Sequence, residues 1–226
     1  MNKIMRKLYI NITNKCNREC PFCCMFSSPT NQSVMSFDTF HGILSNLEDE
    51  TIIQLEGGEP TIHKNFPLFL EYACSLSSVS EIIIDTNGTT IEDTLQTVTT
   101  AAERNSKSIT IKISYNQYLK EHDNNLANTI KDAYFATEFL QHVSIEANVR
   151  GNDIDQAKQL AMEIEGVPMN VHTFNAYGRA EGQNLPPLQI NKVFDEWECY
   201  STDGTCFNQN LIARSKHQLI LEQQQN

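Results

Sequence analysis

Apolar and polar positions trade places along this chain with two periods, one close to two residues and one close to 3.6, and the two periods take turns. Residues 7–12, K-L-Y-I-N-I, read as a strand. The spacing of Phe37, Phe40, Ile43, Leu44 and Leu47 then predicts a helix, with Ser36 as its N-cap. T-I-I-Q-L, Thr51 to Leu55, is strand-like and stops at Gly57-Gly58, ahead of a helical pattern from Phe66 towards Leu76. The unit repeats: E-I-I-I-D, Glu81 to Asp85, ends at Asn87-Gly88 before a helix near Ile91 to Ala102, and Ile109 to Ser114 precedes a longer helix within Tyr118 to Leu140. Val143 to Val149 and Val167 to Phe174 supply two more strands, with a helix from Ile154 to Ile164 between them.

Six strands alternating with five helices predict an α/β fold whose strands pair in parallel through right-handed crossovers. A curved partial barrel and a doubly wound sheet both satisfy that pattern. In either, ligands gather beyond the C-terminal ends of the strands, so chemistry is to be sought in the loops that follow strands. After Tyr177 the alternation fades: Pro186-Pro187 break the chain, a short helical pattern runs near Ile190 to Trp197, the Cys199 to Cys206 segment is polar and turn-like, and Q-L-I-L-E-Q-Q-Q-N reads as a last helical turn. The organisation expected is one core domain over residues 1–180 and an irregular extension over 181–226 that serves as a lid or packing element.

Composition narrows the chemistry. The 226 residues are enough for one well-buried core. Lys3, Arg6 and Lys7 interrupt the N-terminal apolar residues, and no later run reaches the ~20 needed for a membrane span, so a cytoplasmic protein is expected. With 17 Lys+Arg against 28 Asp+Glu, a net charge of -11, the chain has no general attraction for phosphate backbones, and nucleic acid is a disfavoured partner. Seven cysteines in a reducing compartment point to metal binding or catalysis rather than disulfides.

Four of the seven lie within nine residues after the first strand, in C-N-R-E-C-P-F-C-C, Cys16 to Cys24. Cys16, Cys20 and Cys23 are close enough in one loop to converge on a single centre. Structural zinc wants four closed ligands, and no second cysteine knuckle follows. A cubane iron–sulfur cluster held by three thiolates leaves one iron open to a ligand. A redox or zinc-binding loop stands as the alternative. Cys24, next to Cys23, points elsewhere and reads as a small buried hydrophobe.

The loop resembles the cluster-binding signature of the radical S-adenosylmethionine superfamily, Cys-x3-Cys-x-aromatic-Cys, with Phe22 at the aromatic position. The resemblance implies a partial (β/α)6 barrel of parallel strands. It also implies a 4Fe-4S cluster on Cys16, Cys20 and Cys23, S-adenosylmethionine chelated to the open iron, and contact between Phe22 and the adenine. The end of the second strand is an independent match: Gly57, Gly58, Glu59 and Pro60 form the G-G-E-P segment that in the family holds the methionyl amino group. Its glycines permit close backbone approach to a ligand, and Glu59 can accept from an ammonium. Weaker similarities follow. Asn87 lies in a T-N-G turn, which is also a plain turn signal. Ser114 and Asn116 end the fourth strand, where the family places polar residues against ribose or carboxylate. On the fifth strand Glu146, Asn148 and Arg150 share one face, Asn148 being the preferred contact. Y-G-R-A, Tyr177 to Ala180, resembles the turn after the last barrel strand in many family members, with backbone near Ala176 and Tyr177 meeting the adenine. Arg179 reads equally as an ion-pair partner, and His172 as a strand histidine with a satisfied hydrogen bond.

The family's reaction implies reductive cleavage of S-adenosylmethionine to a 5'-deoxyadenosyl radical, which abstracts hydrogen from a peptide or small-molecule substrate. An external electron donor such as flavodoxin or ferredoxin would be a partner. Activation of a glycyl-radical enzyme is an alternative, as is a nonenzymatic iron–sulfur carrier or sensor on the same fold. Cys199 and Cys206 are too few for an auxiliary cluster, even with Cys74. No residue assigns a catalytic role beyond the cofactors.

Overall fold

The structure, a computed structural model, describes residues 6–47, 50–176, 178–185 and 196–208. Tyr177, most of the segment 190–197 and the glutamine-rich end lie outside those residues. In chain order the elements are β1 (Arg6–Thr13), α1 (Phe37–Leu44), β2 (Thr51–Gly57), α2 (Phe66–Ser75), β3 (Val79–Thr86), α3 (Ile91–Asn105) and β4 (Ser108–Asn116). Then follow α4 (Gln117–His122), α5 (Leu126–Thr137), β5 (Val143–Gly151), α6 (Ile154–Glu163), β6 (Met169–Thr173), β7 (Glu196–Tyr200) and β8 (Cys206–Asn208).

One open sheet holds all eight strands in the order β6-β5-β4-β3-β2-β1-β7-β8. The first seven in that order pair in parallel, and β8 folds back antiparallel on β7. The six expected strands are all present. The irregular extension needs correction, because residues 196–208 form a hairpin that docks on β1, with Arg6 opposite Glu196 and Ile10 opposite Tyr200. Strand β7 is only five residues long and pairs with an element at the other end of the chain, so no local pattern reports it.

Capping explains the helix boundaries. Ser36 accepts a hydrogen bond from the Thr39 N–H at 3.0 Å, as expected, and Asp153 does the same for Gln156 at 2.8 Å. The single long helix expected within 118–140 is two. Asn116 caps α4 by accepting from the Leu119 N–H, and Asp123 turns its carboxylate onto the Asn125 N–H, ending the helix in a D-N-N run whose side chains compete for backbone bonds.

The two faces of the sheet differ in chemistry. Leu8, Ile10, Ile12, Ile53, Leu55, Ile82, Ile84 and Ile111 are fully buried and share one cluster with Phe40 of α1, Phe69 and Leu70 of α2, Val98 of α3 and Ile130 of α5. Each such side chain contributes on the order of 1.5–3 kcal/mol on leaving water. Most of the intervening positions are polar, among them Tyr9, Gln54, Asp85, Lys112, Ser114 and Asn148, with Ile83 an apolar exception. A doubly wound sheet is covered by helices on both faces and has strands apolar throughout. Helices on one face and polar side chains on the other make this sheet the wall of a partial (β/α) barrel. Among the described residues, no helix is long and apolar enough to cross a membrane.

Candidate active site

The cysteine loop leaves β1 at Thr13 and is closed at its base. The Asn14 N–H donates to the Ser33 carbonyl at 3.0 Å, the Ser33 N–H donates to Asn14 Oδ1 at 2.8 Å, and the Cys16 N–H donates to the Ser28 carbonyl at 3.1 Å. Inside the loop two sulfurs receive backbone donors: Arg18 N–H to Cys16 Sγ and Ser27 N–H to Cys23 Sγ, both at 3.4 Å. Asn87 Nδ2 adds a longer contact to Cys16 Sγ at 3.7 Å and a 2.8 Å bond to Asn17 Oδ1. Burial pushes the free thiol of Cys16 up to about 11 and that of Cys20 up to about 12.

Cys16, Cys20 and Cys23 face a cavity of about 340 Å³ on the polar side of the sheet. Of the residues expected around a cofactor, Phe22, Gly57, Gly58, Asn87, Ser114, Asn116 and Asn148 line the same cavity. Phe22 stacks on Phe174 with ring centroids 3.7 Å apart and meets the edge of Tyr118 at 6.2 Å. Cys24 is half-buried and also faces the cavity. Ala176 is half-buried off the cavity wall.

The G-G-E-P segment is placed as expected, but its residues do different work. A Cβ on Gly57 would lie 2.2 Å from the Thr13 carbonyl oxygen, and one on Gly58 would lie 2.1 Å from that of Lys15. Both glycines are therefore required by the root of the cysteine loop. The Gly58 and Glu59 N–H groups donate to those same carbonyls, at 2.6 and 2.9 Å.

Glu59 and Pro60 do not line the cavity, and the reading of Glu59 as a free acceptor for an ammonium is corrected. The Glu59 side chain is 1% exposed, with Oε1 accepting from the Thr61 hydroxyl, the Thr61 N–H and the Thr86 hydroxyl, and Oε2 from the Asn87 N–H. Burial raises its carboxyl pKa while these donors pull it down.

The Gly178–Ala180 turn holds the loop from the opposite side. Arg179 Nη1 donates to the Cys20 carbonyl at 3.0 Å, Nη2 to the Ser27 carbonyl at 2.7 Å, and its backbone N–H to the Cys23 carbonyl at 3.1 Å. Glu19 lies 3.6 Å from the guanidinium, so the ion pair considered for Arg179 exists at the exposed rim beside this stronger role. His172 is exposed, opposite Arg150 in register, and makes no side-chain hydrogen bond among the described residues, which corrects the expectation of a satisfied one.

A polar floor completes the cavity. Gln54 Nε2 donates to Asp85 Oδ2 at 2.5 Å and Asn148 Nδ2 to Asp85 Oδ1 at 3.3 Å, while Lys112 and Glu146, off the cavity wall, form an ion pair at 3.3 Å. Burial raises the Asp85 pKa against the opposing fields of Arg150, Lys112 and Lys7. Tyr9, Gln54, Glu56 and Asp85 were not among the expected site residues. The signal was the alternation of polar with apolar residues on β1 to β3, the same signal that marks Asn148 on β5.

The remaining cysteines do not converge. Cys74 is buried in α2 within the core, while Cys199 forms a small cluster with Met25, against which Tyr9, Cys23 and Cys24 pack. Cys206 is in register with Tyr200, the neighbour of Cys199, and so lies on the other face of the hairpin.

The family model for the radical SAM superfamily matches residues 10–180. The chain belongs to the radical SAM superfamily. Membership carries the implication of a 4Fe-4S cluster and S-adenosylmethionine. Among curated proteins it resembles GTP 3',8-cyclase of Syntrophomonas wolfei, 28% identical over 85 residues, covering 35% of this chain and 26% of the relative. GTP 3',8-cyclase of Campylobacter jejuni is 29% identical over 91 residues, 38% of this chain and 28% of the relative. These matches span about a quarter of each relative's length. Among solved structures, Streptococcus suis SuiB bound to S-adenosylmethionine superposes with a TM-score of 0.55 at 17% identity, over 84% of this chain and 44% of SuiB. SuiB bound to its precursor peptide SuiA gives the same TM-score and identity over 77% and 40%. These likenesses establish the shared partial-barrel fold.

Proposed function

We propose that this radical SAM enzyme binds its cluster through Cys16, Cys20 and Cys23 and uses S-adenosylmethionine to abstract hydrogen from a peptide or small-molecule substrate. The observation that carries the reading is that all three thiols face one cavity walled by the C-terminal ends of β1 to β5. The donor set suits the cluster: thiolates from one loop, with N–H groups already aimed at two sulfurs. Among the described residues no three His, Cys, Asp or Glu side chains form a group that could hold a single metal ion, and a cubane spreads its thiolates over separate irons.

When bound, these cofactors supply a 5'-deoxyadenosyl radical by reductive cleavage of the carbon–sulfur bond. The protein's own part is to place the groups around that chemistry. The Gly57–Gly58 backbone, anchored on the root of the cysteine loop, offers its edge to the methionyl part. Phe22, held by Phe174, presents a flat apolar face to the adenine. Ser114, Asn116 and Asn148 supply hydroxyl and amide groups to ribose and carboxylate, while the curved wall limits water around the reacting carbon. GTP 3',8-cyclases are named for a nucleotide and SuiB has a precursor peptide, so both substrate classes have a relative behind them. The electron comes from a small redox protein of the flavodoxin or ferredoxin kind.

The test is formation of 5'-deoxyadenosine by anaerobically reconstituted, reduced protein mixed with S-adenosylmethionine. The expected result is product well above that of Cys16→Ala, with Cys24→Ala retaining its iron. Yields equal to the Cys16→Ala background would instead describe an iron–sulfur carrier or sensor, and zinc without brown absorbance would describe a zinc module.

A further inference from the structure

The contacts that fix the cysteine loop come from a turn distant in sequence. Between residues 20 and 27, four backbone carbonyls accept from two residues of the segment after β6. Arg179 takes Cys20, Cys23 and Ser27, and Gln183 Nε2 takes Pro21 at 3.3 Å. Gly178 makes the approach possible. Its φ of +66° is left-handed, and a Cβ there would lie 2.5 Å from Cys24 Cα and 2.7 Å from the Cys23 carbonyl oxygen.

The orientation of the loop's dipoles follows from these bonds. With its carbonyls tied on the outside to a guanidinium and an amide, the loop turns N–H groups towards the sulfurs, as the Arg18 and Ser27 donors show. An N–H group aimed at each of the Cys16 and Cys23 sulfurs favours negative charge there, and the half-buried guanidinium behind the loop adds to that field. The Arg179 side chain is 18% exposed, so water screens this field only partly. Arginine suits the position because its planar fork reaches two carbonyls at once, which an ammonium on a single stem does not.

We propose that Arg179 is a positioning residue for the iron–sulfur cluster: by bridging the Cys20 and Ser27 carbonyls it holds the loop in the form that presents all three thiols and keeps N–H groups on the Cys16 and Cys23 sulfurs. This deepens the function proposed above and rests on it for the identity of the metal centre. The hold on the loop itself is a property of the protein alone and can be read without metal. Closure of the turn after β6 thereby becomes a condition for cluster retention, coupling the last barrel strand to the loop after the first.

Two measurements separate the parts. In metal-free protein, iodoacetamide labelling is followed at individual cysteines in the wild type, Arg179→Ala and Arg179→Lys. With rates expressed per thiolate from their pH dependence, because the guanidinium also lowers the Cys20 pKa, loss of two charge-assisted hydrogen bonds is expected to speed labelling of Cys20 and Cys23 by about tenfold or more in Arg179→Ala. Arg179→Lys should be intermediate, and Cys74 in the core should stay protected in both. In reconstituted protein, the same order is expected for iron loss to a chelator. The electron paramagnetic resonance signal of the reduced cluster should be altered in Arg179→Ala and partly restored in Arg179→Lys.

Equal labelling rates at Cys20 and Cys23 in wild type and Arg179→Ala, with Cys74 protected, would overturn the proposal. Labelling of Cys74 would mean that Arg179→Ala has unfolded, and Arg179→Lys then decides: wild-type rates and signal in it overturn the proposal, and an intermediate rate supports it. A wild-type protein that assembles no cluster would sink the function proposed above, while the labelling comparison still reports on the clamp.

Discussion

The carboxylate of Glu59 accepts the backbone N–H of Asn87 at 2.7 Å, joining the end of β2 to the end of β3 at the point where Asn87 reaches across to Cys16. Both carboxylate oxygens are engaged inside the protein, so Glu59 braces the two strand ends.

Glu59→Ala would strand the Asn87 N–H and the buried Thr86 hydroxyl without an acceptor. At about 1–3 kcal/mol for each buried unsatisfied group, a loss of roughly 2–6 kcal/mol in unfolding free energy is expected. Glu59→Gln keeps one carbonyl acceptor and should lose less. Denaturant unfolding of the metal-free variants measures both, and an Ala variant as stable as wild type would contradict the bracing role.

Gly58→Ala pushes a methyl into the Lys15 carbonyl, a backbone atom that cannot swing away. A cost of about 1–3 kcal/mol is expected from the forced backbone shift. Gly42→Ala is the opposite case. It lies in α1 with nothing within 4 Å of an added Cβ, so gaining a better helix former should stabilise by about 0.5–1 kcal/mol. Opposite signs from the same substitution, read by denaturant midpoints, are the expected outcome.

Lys7 lies on the polar face at 5% exposure, and burial, followed by the neighbouring charge of Lys112, lowers its pKa to about 8. In the unfolded chain the group keeps its proton up to its ordinary value of 10.5. Between these values the unfolded state binds more protons, so this group makes stability rise with pH across that window and leaves it flat below pH 8. The stability of wild type relative to Lys7→Met should therefore improve by up to roughly 3 kcal/mol from pH 8 to 10.5. A constant difference between the two proteins over that range would show that the lysine titrates as it does in water.

Much of this was legible because the information is local. The six strands and their helices follow from periodicity within short windows, and the thiol loop from spacing within eight residues. Ser36 announced its helix for the same reason. What escaped depends on partners brought together by folding. Glu59 turns inward because Thr86 and Asn87 wait 27 and 28 residues further on. Arg179 serves the loop because the barrel returns it to a carbonyl 159 residues earlier. The mixed burial of Gln54 and Asp85 was written in the alternation of their strands, yet alternation alone does not separate a cavity wall from a face in water. For β7 the obstacle was brevity: E-W-E-C-Y becomes a strand only where β1 offers it an edge.

That late pairing has a consequence for how the chain is made. The flank of β1 that receives β7 must wait for residues about 190 positions further along, as the 192-residue separation between Arg6 and its ion-pair partner Glu198 shows. At about 5–20 residues per second of translation, the first strand leaves the ribosome tens of seconds before its last neighbour exists. Throughout that interval the nascent protein carries an open parallel edge, a site for chaperone capture or mispairing with another unfinished copy.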